Sequence, residues 1–183
     1  MTNQNKYLAE VFPRPPLTAF KRQANLRNIL IRAKVADPPR IHKERNLKGM
    51  TKCGKACSAC PYIQTTKSIK IDRKNTWKIN RKVSCNNYNI IYMISCNKHN
   101  CKEKRYIGET GRILKYRLAE HRGYVTNNVT SQATGAHFNL PGHSLANMNV
   151  VVLEQVKKRD QEYRKERERY LIQKFNTYNE GMN

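Results

Sequence analysis

The sequence predicts an α+β fold: a small mixed domain over residues 89–183, preceded by a cysteine-rich segment at 51–88 and a basic lead at 1–50. Three observations carry this reading. Ile90-Ile91-Tyr92-Met93-Ile94 is an unbroken apolar run, the pattern of a strand buried on both faces. Helical spacing of apolar residues follows it and returns near the end of the chain. The six cysteines fall in short groups, as metal ligands do.

In the lead, Pro13, Pro15 and Pro16 forbid a helix, and Pro38-Pro39 break the chain again. Between them Asn25 caps a short predicted helix from Leu26 to Val35, with Leu26, Ile29, Leu30 and Ala33 on one face. This element is too small to hold a core alone. In the second segment Cys53, Cys57 and Cys60 lie close together, and a polar stretch leads to Cys85, with Trp77 as the expected anchor of the unit. In the third, Asn89 to Ser95 is the first strand and Arg105 to Gly108 its partner. A helical pattern follows with Ile113, Leu114, Arg117, Leu118 and His121 near one side. Asn149 to Leu153 form a third strand. The last helix runs from Asp160 to Phe175, charged on most faces, with Tyr163, Tyr170, Leu171 and Phe175 as its apolar stripe.

Charge narrows the function. The chain carries 36 Lys and Arg against 13 Asp and Glu, a formal net charge of +23. Such a field suits a polyanion, and solubility does not require it. Residues 1–105 hold 24 of the basic and only 5 of the acidic residues, so that part reads as a tether to phosphate. The acidic residues cluster late, where a chemical site would need them. The first twenty residues lack the apolar core of a signal peptide, and no apolar run approaches a membrane span. Cysteines in such a chain suit metal binding in a reducing compartment, nuclear or cytoplasmic, better than disulfides.

Cys96 and Cys101 are separated by four residues, His137 and His143 by five. Two short ligand pairs of this kind close a tetrahedral zinc site from separate parts of a chain. Cys53, Cys57, Cys60 and Cys85 give a second set of four, with His42 or solvent as alternatives to Cys85. Four protein ligands leave no open position for activating water, so both expected zinc ions are structural.

Ile90-Ile91-Tyr92 and Tyr106-Ile107-Gly108 resemble the paired motifs of the GIY-YIG nucleases, although Ile90 stands where glycine is usual. The likeness continues through Glu109-Thr110-Gly111-Arg112, Arg117-Leu118-Ala119-Glu120-His121 and Glu168-Arg169-Tyr170-Leu171-Ile172. Within that superfamily the chain resembles the endonuclease of Penelope-like retroelements. The features shared with that group are the Cys96/Cys101 pair between the name motifs, the segment His137-Phe138-Asn139-Leu140-Pro141-Gly142-His143, and Gly181-Met182-Asn183. Upstream, Asn25 to Lys34 and Cys57 to Ile63 resemble the linker that joins reverse transcriptase to nuclease. No reverse transcriptase motif is present, so the expectation is a piece of a larger polyprotein or a stand-alone copy.

The resemblance implies a three-stranded, mainly antiparallel sheet flanked by helices, and a metal-dependent DNA endonuclease that leaves a 3′-hydroxyl to prime reverse transcription. It implies Glu168 as the ligand of Mg²⁺ or Mn²⁺, hard cations that favour oxygen. Arg117 would meet the transition-state phosphate. Tyr92, with Tyr106 beside it, would act as general base, and His121 as a phosphate contact or alternative base. Asn183 matches the family's final asparagine, with Asn179 as its alternative. The expected partners are DNA and a reverse transcriptase domain or its RNA. Two rival readings stand beside this one: a catalytically silent, zinc-stabilised DNA-binding module, and a repair nuclease of the same superfamily.

Overall fold

The computed structural model describes residues 48–183 apart from 55, 102, 103, 158 and 159. The chain divides into two units, Met1–Lys43 and Glu44–Asn183, and every described residue belongs to the second. The expected helix from Leu26 to Val35 and the alternative ligand His42 lie outside the described residues.

Four short strands come first: β1 (Gly49–Met50), β2 (Ser68–Lys70), β3 (Thr76–Lys78) and β4 (Lys82–Val83). β1 pairs with β4 in parallel, and β2 with β3 antiparallel. Then come β5 (Ile90–Cys96), β6 (Arg105–Thr110), α1 (Leu114–Thr126), α2 (Ala133–Phe138), β7 (Met148–Gln155) and α3 (Gln161–Lys174). β5 is the middle strand of a three-stranded sheet ordered β6-β5-β7, antiparallel to both neighbours. Every residue of β5 except Ser95 is buried, which explains why the strand reads as an apolar run without alternation.

Cross-strand register assigns the two faces. Ile91 lies opposite Glu109 on one side and Glu154 on the other. Both glutamates pair with α3, Glu109 with Arg164 and Glu154 with Arg167, so α3 covers that face. Tyr92, one residue on, belongs to the opposite face and meets α1.

α1 buries Leu114, Leu118, His121 and Val125, a spacing of four, three and four. No side chain caps its start. The carbonyls of Asn87 and Cys85 accept the N–H groups of Leu114 (3.0 Å) and Lys115 (2.9 Å), so the end of the cysteine-rich segment fixes where the helix begins. α2 has no counterpart among the sequence-based expectations. It is six residues long and buries Thr134, Gly135, His137 and Phe138. A Cβ at Gly135 would collide with the Val129 carbonyl.

α3 begins where Asp160 accepts the N–H groups of Glu162 (2.9 Å) and Tyr163 (3.4 Å). Its expected stripe is half right. Leu171 and Phe175 are buried, but Tyr163 and Tyr170 are each 41% exposed. Arg164 takes the inward place, because its guanidinium reaches Glu109 at 2.8 Å and Asn89 at 3.3 Å and is thereby satisfied. Tyr170 stays outside under the cations of Arg167 and Lys174.

The cysteine-rich segment shares one core with the sheet. Trp77 donates its indole N–H to the Leu153 carbonyl at 2.9 Å and meets Phe175 edge-on, so it ties the β2–β3 hairpin to β7 and α3. Gln64 donates to the Val150 carbonyl on the outer edge of β7. Among the described residues no helix is long and apolar enough to cross a membrane.

Candidate active site

An open groove of about 550 Å³ runs along the edge strand β6, lined by Tyr106, Glu109, Arg117, Glu162, Lys165, Glu168 and Arg169. Three elements supply the sequence-predicted residues found there: Tyr106 from β6, Arg117 from α1 and Glu168 from α3. The helices lie on opposite faces of the sheet, and only at its edge can their side chains meet.

Glu168 Oε1 accepts the backbone N–H of Glu109 at 3.0 Å. Among the described residues Glu168 belongs to no ion pair. Burial and the nearby Glu109 carboxylate hold its pKa above the usual range, against the pull of the Glu109 N–H, Arg117 and Arg169. A half-buried carboxylate raised in this way, bordering an open groove, fits a divalent cation as its missing counter-charge.

Arg117 donates through Nε to Tyr92 Oη (3.0 Å) and through a terminal nitrogen to Glu120 (2.7 Å), while Arg112 grips the other Glu120 oxygen. The salt bridge to Glu120 and the approach to the tyrosine therefore coexist. Tyr92 is fully buried behind the groove, and only Tyr106 lines it. Burial raises the pKa of both tyrosines, and Arg117 opposes the rise. β6 can pass this close because Gly108 has no side chain: a Cβ there would stand 2.8 Å from Tyr92 Oη and 2.9 Å from the Tyr106 ring.

His121 does not reach the groove. It is 2% exposed, with Nε2 at 2.7 Å from Tyr92 Oη and Nδ1 at 2.9 Å from Thr134 Oγ1. Burial holds its pKa down at about 3, so the ring is neutral. In this arrangement the ring offers a phosphate almost no exposed surface, since the rings of Tyr92, Tyr106 and Tyr124 pack edge-on against it.

A family model, that of the GIY-YIG catalytic domain, matches residues 88–183. The chain belongs to the GIY-YIG family. No curated protein and no solved structure matches it. Membership makes residues 88–183 a nuclease domain, of a family whose members act on DNA and depend on metal.

The other expected residue of the GIY-YIG domain sits one step from the groove. Asn183 brackets the backbone of Ile107, accepting its N–H at 2.8 Å and donating to its carbonyl at 2.6 Å. It thereby holds the edge of β6 between Tyr106 and Gly108. Asn179 turns away and bonds Asn176.

Both four-residue metal sets assemble, each with its ligand atoms within 4.8 Å of one another. In the all-cysteine set Sγ–Sγ distances are 3.4 Å (Cys53–Cys60), 3.6 Å (Cys57–Cys85) and 3.7 Å (Cys60–Cys85). A tetrahedron with Zn–S bonds of about 2.3 Å has edges of roughly 3.8 Å, so four thiolates around one zinc ion fit this spacing. The second set brings Cys101 Sγ to 3.5 Å from His137 Nε2. His143 Nε2 is buried with no hydrogen-bond partner, while its Nδ1 faces the Pro141 carbonyl at 3.3 Å. An orphaned ring nitrogen whose other nitrogen is anchored to a carbonyl is what a metal-binding histidine requires.

Sequence reasoning missed three participants. Thr134 holds His121, Arg164 holds Glu109, and the Glu109 N–H holds Glu168, whereas the Arg117–Glu120 salt bridge is among its readings. Thr134 and Arg164 stand outside the motifs, and the Glu109 contact is made by its backbone, which no motif marks. Arg164 alone left a trace, since it lies one helical turn before Glu168 on the same face.

Proposed function

We propose that the chain is a metal-dependent DNA endonuclease that nicks its target and leaves a 3′-hydroxyl to prime reverse transcription, as in Penelope-like retroelements. The observation that carries the nuclease reading is the convergence of Arg117, Tyr106 and Glu168 on one groove from three separate elements. The retroelement setting rests on the sequence resemblance: the cysteine pair between the name motifs, the histidine segment and the upstream linker.

Glu168 is the residue to hold Mg²⁺ or Mn²⁺, an ion that stabilises charge growing on the phosphoryl oxygens and lowers the pKa of water. Arg117 has the fork that suits a phosphate. In turning towards one it uncovers Tyr92 Oη, the atom proposed to accept the proton of the attacking water, with Tyr106 beside it. Asn183 acts on this reading by holding β6 in register. The two zinc ions are structural, one stapling Cys96 and Cys101 to His137 and His143, the other closing Cys53, Cys57, Cys60 and Cys85. DNA is the substrate, a reverse transcriptase domain or its RNA the partner, and the nucleus the place of action.

The test is the chemistry of the cut end. Supercoiled plasmid nicked by the purified chain under Mg²⁺ should be extended by a DNA polymerase without phosphatase treatment, and by a reverse transcriptase when an RNA template is annealed. Nicked ends that are extended only after a 3′-phosphatase would refute the priming role.

A further inference from the structure

The hydrogen bonds behind the groove have a direction set by which groups can donate. Tyr92 is fully buried, and among the described residues its hydroxyl meets two groups, Arg117 Nε and His121 Nε2. A guanidinium only donates, so the sole acceptor for the phenolic hydrogen is His121 Nε2. The other ring nitrogen, Nδ1, lies 2.9 Å from Thr134 Oγ1, a hydroxyl able to accept. The neutral imidazole therefore carries its hydrogen on Nδ1 and gives it to Thr134.

We propose that Thr134 is a positioning residue for DNA cutting, accepting the Nδ1–H of His121 and so favouring the tautomer in which Tyr92 points its hydrogen inward and turns an oxygen lone pair towards Arg117 and the groove. This rests on the nuclease reading above. With the opposite tautomer, Nε2–H would donate to Tyr92. The phenolic oxygen would then accept from both neighbours, its hydrogen would turn outward, and Tyr92 would meet an incoming water as a donor. As Tyr92 takes a proton from the attacking water it passes its own to His121 Nε2, which becomes imidazolium, so the polarity of one buried chain decides whether Tyr92 can act as a base. Thr134 is well placed for this, being 1% exposed on α2 and one turn before His137. The helix that anchors the imidazole also carries a member of the mixed cysteine–histidine set.

Thr134→Val keeps the shape and removes the hydroxyl, and Thr134→Ser restores it. Both variants, as full zinc-loaded chains, are compared with wild type by ¹⁵N NMR of the histidine rings and by plasmid nicking against pH. Wild type should show His121 as the Nδ1–H tautomer. Thr134→Val should mix in the Nε2–H form and nick about 10–100-fold more slowly, the scale on which losing a histidine's orienting partner acts elsewhere. Thr134→Ser should recover tautomer and rate together. An Nε2–H tautomer in wild type overturns the proposal, and so does a Thr134→Val chain that nicks at the wild-type rate. If Thr134→Val fails to fold, the wild-type tautomer and the serine variant still decide. A wild type that never nicks sinks the nuclease reading, and the NMR comparison then judges the hydrogen-bond chain by itself.

Discussion

Glu168 on the last helix accepts the backbone N–H of Glu109 on the edge strand at 3.0 Å. That bond joins α3 to β6 at a groove where side chains from both faces of the sheet come together. It aims the carboxylate, while the nearby Glu109 side chain is paired with Arg164 at 2.8 Å. The groove therefore has one carboxylate fixed and short of a cation, and a second one already neutralised.

Stability should report this directly. Glu168 has a folded-state pKa above its unfolded value, so the fold favours its protonated form. Stability then falls as pH rises from the unfolded value through the folded one. Metal-free Glu168→Gln should accordingly melt above wild type at neutral pH, and the gap should close in acid. Mg²⁺ should raise the melting temperature of wild type and leave the variant unmoved. Thermal scans across pH, with and without Mg²⁺, check both signs.

Arg117→Ala should cost about 10²–10³-fold in nicking, the usual loss for one preorganised group that meets transition-state charge. Binding of a duplex, followed by fluorescence anisotropy, should change little, given how many other cations the chain carries. Arg117→Lys should not restore the rate, because an ammonium cannot hold Tyr92, Glu120 and a phosphate at once.

How much of this was legible in the sequence depends on which force set each piece. β5 was readable because burial on both faces leaves only apolar residues in the strand. α3 was readable because Asp160 caps it and its length allows several turns. α2 was not: it is short, and it buries a threonine, a glycine and a histidine where an apolar pattern would be sought. Tyr163 and Tyr170 misled because a buried Arg164, satisfied by Glu109 and Asn89, took the place that hydrophobicity alone would give a tyrosine. The metal sets were legible because ligand spacing is local. The Tyr92–His121–Thr134 chain joins three elements by contacts that no spacing encodes.

Elemental analysis should find close to two zinc ions per chain, one for each four-ligand set. Cys96→Ser and His143→Ala should each destabilise the nuclease domain, since structural zinc supplies folding free energy directly. Cys57→Ser should also reach the active site, because the carbonyls of Cys85 and Asn87 cap the start of α1, and α1 carries Arg117. A Cys57→Ser chain with wild-type stability and one zinc ion fewer would show that this cap does not need the metal.

Asn183→Ala removes both hydrogen bonds to Ile107. At the edge of β6, where Ile107 is buried, these are worth about 1–3 kcal/mol in total. Denaturant unfolding should show a loss of that size, and hydrogen exchange at the Ile107 amide should quicken more than exchange in β5.

The most direct measurement is the nicking of supercoiled plasmid under Mg²⁺ by wild type and by folded, zinc-loaded Glu168→Ala. Wild type should convert plasmid to the open-circular form. The variant should leave it intact while holding DNA at least as tightly, since a carboxylate removed from a phosphate-binding groove takes its repulsion with it. A Glu168→Ala chain that nicks as fast as wild type would contradict the metal assignment. A wild type that cuts under neither Mg²⁺ nor Mn²⁺ would leave a zinc-stabilised DNA-binding module as the better account.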